Sequence, residues 1–270
     1  MVSAWVQYEP VLDSWWLKFE RAQEHRAEAE RMISDLLMRA DATLRVEASY
    51  VDSRWIYTVH RDLDVDGRLA VVIGDFLFGL RSALDHILTR NLKAPSSKAH
   101  FPIFHEDFLA SKATEPKRFA NYRKMWKDLE AQLPRPVFKV IELAQPFIVC
   151  QISGSDPAEA ALSILNELQN RDKHASLGVV DHYIADAAGF VVQPNGERAR
   201  ISYPGLTAEM MLVNGQRVFE HPEELQIDIT GRIQLAVVAG PNARHRPLPE
   251  SFDDITEEVR SVLEAIERNM

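Results

Sequence analysis

The chain has 270 residues, 46% of them hydrophobic, which is enough to bury a sizeable core as one large domain or two small ones. Its formal charge of −9 weighs against broad nonspecific attraction to nucleic acid or an anionic membrane, while leaving room for a local basic surface. Cys150 is the only cysteine, which excludes an intramolecular disulfide and any multi-cysteine metal site and fits a reducing compartment.

The opening MVSAWVQYEPVLDSWW lacks a basic region followed by an apolar one, so no secretory signal is expected. Residues 11 to 40 place Leu12, Trp15, Trp16, Phe19, Met32, Ile33, Leu36 and Leu37 at helical spacing, and one long amphipathic helix follows. Two runs rich in β-branched and aromatic residues, Thr43 to Tyr50 and Arg54 to His60, flank the turn signal Asp52-Ser53 and predict a hairpin at about 43 to 61. From Asp64 to Leu92 the pattern is helical again and apolar nearly all round in its first half, the mark of a central buried helix. Its most apolar run, Leu69 to Leu80, is far short of a membrane span and contains Asp75, so a soluble, cytoplasmic protein is expected. At least three more helices are predicted before residue 175, at about 115 to 131, 135 to 144 and 157 to 174, the last with Pro157 at its start.

Beyond residue 176 the texture changes. Asn195-Gly196, Asn214-Gly215 and Thr230-Gly231 each lie between extended runs, which predicts an antiparallel meander. A final helix over 251 to 268 aligns Phe252, Ile255, Val259, Val262, Leu263 and Ile266 on one face that must dock, with the meander as the nearest partner. The expected fold class is therefore α+β: a helical core with an inserted N-terminal β-hairpin, then an antiparallel β-meander and a C-terminal helix. Residues 1 to 175 form the mainly helical part and 176 to 270 the sheet with its helix, packed together as one unit.

Polar chemistry concentrates in two helical stripes. Asp75, Gly79, Ser82 and His86 fall together on the central helix, flanked by Arg81 and Asp85. Ser163, Asn166, Asn170 and His174 share one side of the helix before residue 175. One reading makes these a solvated face with an Arg81–Asp85 pair and a helix end capped by polar residues. The other lets the stripes face each other across a polar binding cleft built from Asp75, Ser82, Asp85, His86, Asn166, Asn170, Asp172 and His174.

Metal binding is not expected: Asp85-His86, His100, His105-Glu106, Asp172 and His174 match no spacing with a fixed coordination geometry. Nor is a cofactor, since there is no glycine-rich phosphate loop, nucleophile elbow or dinucleotide fingerprint. The basic stretch Lys112 to Lys139 carries Phe119, Tyr122 and Trp126, which share a helix face with Met125 and Leu129 and are assigned to the core. Lys117, Arg123, Lys124 and Lys127 remain as a basic face able to meet phosphate. Cys150 ends the apolar stretch Phe147-Ile148-Val149 and reads as a buried structural thiol.

The ordered set Arg81-x-x-Leu84-Asp85-His86, Phe101-Pro102-Ile103, Gln145-Pro146-Phe147 and Leu165-x-x-Leu168-x-Asn170-x-Asp172-Lys173-His174 resembles a widespread family of uncharacterised bacterial hypothetical proteins, over about residues 65 to 175. That family brings no activity with it. Arg81 and His86 also satisfy the R-x(4–6)-H pattern of the HEPN superfamily. That resemblance implies a metal-independent ribonuclease with His86 as acid/base and Arg81 as phosphate stabiliser, the two as catalytic residues, in a symmetric homodimer. On a straight helix the two side chains diverge by about 140°. Two functional expectations result: a non-enzymatic binding or structural protein with a polar interhelical cleft, or a HEPN-like ribonuclease. The expected partner is a small molecule, a protein or RNA, and not a membrane.

Overall fold

The computed structural model describes residues 13–40, 44–61, 65–94, 99–109, 117–174, 181–192, 197–200, 215–239 and 244–270. It is an α+β fold. Helix α1 (Ser14–Ala40) precedes the hairpin β1 (Leu44–Val51) and β2 (Arg54–Arg61). Then come α2 (Gly67–Asn91), α3 (Lys117–Gln132), α4 (Arg135–Leu143), α5 (Pro146–Ser153) and α6 (Ala161–His174). Strands β3 (Asp181–Val192), β4 (Arg198–Arg200), β5 (Gln216–His221), β6 (Gln226–Ala239) and β7 (Arg244–Leu248) lead to α7 (Glu250–Glu267). No described helix is long and apolar enough to cross a membrane.

Helix α2 is the axis of the molecule because its sequence offers apolar side chains in nearly every direction. Leu69, Ile73, Phe76, Leu77, Leu80, Leu84, Ile87 and Leu88 are all buried. Asp66 starts it by accepting the Arg68 backbone N–H on its side chain, the usual way an aspartate satisfies a free first-turn donor. Helix α1 lies antiparallel along it: Ser14 meets His86 near one end, Ala22 faces Gly79, and Glu28 pairs with Arg68 near the other. Gly79 is what lets the two helices close up, since a Cβ there would sit 2.9 Å from the Ala22 Cβ and 3.2 Å from its backbone.

The C-terminal helix does not rest chiefly on the strands, as its place in the sequence suggests. It packs on α2, α4 and α6 as well as β7, with the Phe252 ring 4.9 Å from that of Phe76. Its apolar stripe of Phe252, Ile255, Val259, Val262, Leu263 and Ile266 enters the main core, where the burial available against three helices exceeds what a sheet face of alternating residues offers. Helix α5 is an addition to the predicted set. Pro146 pre-sets its first turn and Gly154, at φ 75°, ends it.

The hairpin turns at Asp52 and Ser53, with φ of 50° and 66°, so that Val51 pairs with Arg54. Strands after residue 176 are antiparallel as the turn signals imply, but they divide between two sheets. One is ordered β4-β3-β6-β7, while β5 pairs with β2 to extend the hairpin into β1-β2-β5. Thr230-Gly231 does not turn: β6 continues through it, with Thr230 paired to Ala188 and Arg232 to Ala185 of β3 and the register shifting opposite the glycine. Threonine and the isoleucines on both sides favour the extended backbone, and that preference outweighs one glycine. Asn195-Gly196 and Asn214 lie outside the described residues; Gly215 adopts φ 77°, as a turn glycine does.

Candidate functional site

Two faces of α2 hold the polar residues singled out from the sequence. Arg81, seven residues beyond Gly74, points to the same side as that glycine, and Asp85 follows one turn later. Residues 99–109 pack against this side as irregular chain. Irregular backbone needs partners for its own polar groups when it is buried. Arg81 Nη2 donates to the Phe101 carbonyl, and Asp85 Oδ1 accepts the Phe101 N–H at 2.7 Å. The two side chains thus satisfy both backbone groups of one residue, and they approach each other at 3.5 Å.

Gln145 completes the clamp from the opposite side. Fully buried, it accepts the Phe104 N–H on Oε1 at 3.1 Å and donates from Nε2 to the carbonyls of Pro102 (3.1 Å) and Ile141 (2.8 Å). Phe104 and Phe108 are thereby pressed among Tyr122, Trp126 and Phe147, and Phe101 is fully buried in the same core. Arg81 keeps only 9% of its surface, and burial lowers its pKa from the ordinary guanidinium value against the opposing pull of Asp85. Its Nη1 is buried and has no hydrogen-bond partner among the described residues. Asp85 Oδ2 lies 3.2 Å from Nδ1 of His100, an exposed ring that the clamp orients.

His86 faces elsewhere. Its Nδ1 lies 3.2 Å from Ser14 Oγ on α1, the helix that also covers Gly79. Arg81 and His86, five residues apart on the same helix, therefore address different neighbours, as the angular separation on the wheel anticipates.

Helix α6 meets α2 further toward its N-terminus. Gly74 makes the approach possible: a Cβ there would sit 2.9 Å from both carboxylate oxygens of Asp172. The pKa of Asp172 is raised, first by desolvation and second by the charge of exposed Asp75. Asp75 and Asp172 are thus brought together. From Gly74 to His86 the helix climbs roughly 18 Å at 1.5 Å per residue, so Asp85 and His86 stand well away from that acidic pair. Ser82 and Asn166 are half-buried and Asn170 is exposed. The Ser163 hydroxyl is buried with no partner among the described residues. The side chain of His174 lies outside the described residues.

The remaining sequence features resolve more simply. Cys150 is buried and accepts the Ser155 hydroxyl at 3.2 Å. Phe119, Tyr122 and Trp126 pack on the core, Lys124 and Lys127 are exposed, and Arg123 donates to the Phe108 carbonyl at 3.1 Å. Among the described residues no group of three His, Cys, Asp or Glu side chains is placed to hold a metal ion. Gly74, Gln145 and His100 carry more of this arrangement than the sequence patterns suggest. Gly74 was detectable as a small residue two turns before Arg81, and Gln145 as an amide locked against Pro146. No family model, curated protein or solved structure matches the chain.

Proposed function

We propose that this chain is a non-enzymatic binding or structural protein in which Arg81 and Asp85 serve the fold and the polar surface around α2 serves contact with a ligand or partner. The observation that carries this reading is the burial of the Arg81 guanidinium against the Phe101 carbonyl. Ribonuclease chemistry of the arginine–histidine kind needs a cation free to meet a phosphate and an imidazole within reach of the same ribose hydroxyl. Here the cation is committed to backbone, and the imidazole is turned to Ser14 on another side of the helix.

The test is incubation of the purified full chain with total RNA in EDTA, beside the His86→Ala variant. The expected result is no cleavage above buffer in either sample. Cleavage by the wild-type chain that His86→Ala removes would overturn the binding reading and favour the HEPN-like ribonuclease.

A further inference from the structure

The clamp has an outward end. His100 is held through Nδ1 by Asp85, which is itself fixed by Arg81 and the Phe101 N–H. A carboxylate only accepts, so Nδ1 carries the proton toward it, and in the neutral imidazole Nε2 is the ring nitrogen left to accept a bond from elsewhere. His100 lines a pocket of about 330 Å³ between α3 and the end of α2, near the lower bound for small-molecule sites. Its apolar floor is Leu92, Met125 and Leu129, and its charged groups are Lys124 and Asp128 on α3.

These charges sit one helical turn apart, yet Lys124 and Asp128 make no ion pair with each other among the described residues. A site with one cation, one anion, one orienting acceptor, the amides of Asn121 and Gln132 and an apolar floor is balanced for a ligand that is itself balanced. An anion alone would face Asp128, and a cation alone would face Lys124.

We infer that the pocket between α3 and His100 binds a small zwitterion with an apolar side chain, an α-amino acid of the phenylalanine or leucine kind. The carboxylate meets Lys124, the ammonium donates to Asp128 and His100 Nε2, and the side chain lies on Leu92, Met125 and Leu129. The Met125 thioether makes an aromatic side chain the better filling, because sulfur attracts a ring edge. This deepens the binding reading above, on which it rests, by naming a ligand class and a site.

The experiment is titration calorimetry of the full chain with L-phenylalanine, with 3-phenylpropanoate, which lacks the ammonium, and with phenethylamine, which lacks the carboxylate. Saturable binding of L-phenylalanine is expected, with both half-ligands weaker by about tenfold or more, a difference of about 1.4 kcal/mol. Lys124→Ala should weaken the amino acid and the propanoate while sparing the amine. Asp128→Asn should do the reverse. Both substitutions are on the exposed face of α3 and leave the fold intact, which a melting curve checks. Equal binding of all three compounds, or no saturation at millimolar concentration, would sink the inference. Such a failure differs from that of the underlying reading, which only RNA cleavage removes.

Discussion

Along one face of α2, two regions two turns apart treat polar groups at a packing contact in opposite ways. At Arg81 and Asp85 the neighbour is backbone, and Phe101 supplies an acceptor to the cation and a donor to the anion. At Gly74 the neighbour is Asp172, and the charge that acts on that carboxylate is another carboxylate, Asp75. The first arrangement offsets the cost of removing ions from water with directed hydrogen bonds; the second leaves the cost standing and moves it into a raised pKa. Proximity of charged residues on a helix therefore says little about stability until the facing groups are known.

The sharpest way to break this contrast is Arg81→Ala. It leaves the Phe101 carbonyl and Asp85 without the buried guanidinium that pairs with both, and a loss of about 3–5 kcal/mol is expected, read from urea unfolding with the slope unchanged. Arg81→Lys should recover only part of it, because a single ammonium does not span two acceptors as the planar fork does. A loss below about 1 kcal/mol would mean that water reaches the clamp and that its burial is not what holds residues 99–109 in place.

Gln145→Ala tests the other jaw and should cost less, about 1–3 kcal/mol, because the amide carries no charge but its loss strands the Phe104 N–H and the Pro102 carbonyl. The same urea experiment checks it. If the two losses are measured together, the double variant should fall short of their sum, since both side chains hold one segment.

Most of the helices and the hairpin were legible because their signals are local: apolar residues at helical spacing for α1 and α2, and β-branched runs around Asp52-Ser53 for β1 and β2. What the sequence did not disclose depends on partners distant in the chain. Arg81 and Asp85, one turn apart, read equally well as a solvated pair, and only the docking of Phe101 turns them into a clamp. The destination of α7 was hidden for the same reason, since a stripe such as Ile255, Val259 and Val262 says that a face is covered and not by what. Thr230-Gly231 misled because a glycine signals a turn only if neighbouring strands let the chain reverse there. At the site, the residue types in both stripes were visible, but their division between an α1-facing side at His86 and an α6-facing side at Gly74 follows from how the helices cross.

The smallest effect, and the most direct probe of the acidic region, is Asp172→Asn. A carboxyl whose pKa is raised by folding binds protons more tightly in the native state than in the unfolded chain. Between the ordinary aspartate value near 4 and the raised native value, stability therefore falls as pH rises, and above that window the ionised group is a constant burden. Asparagine keeps the shape and removes the charge. Asp172→Asn should melt no lower than wild type at pH 7 and gain less than about 1 kcal/mol, because solvent still reaches both acids and weakens their repulsion. The gap should close as the pH is lowered below the ordinary aspartate range, where the wild-type carboxyl is protonated in the folded and the unfolded chain alike. Asp75→Asn should reproduce only the smaller part of the gain, since desolvation outranks the charge of Asp75 among the causes of the shift. Thermal melts of the three chains across that pH range measure all of this. A destabilised Asp172→Asn at pH 7 would show that the carboxylate makes a favourable contact, and the contrast between the two regions of α2 would then collapse into a single mode of packing.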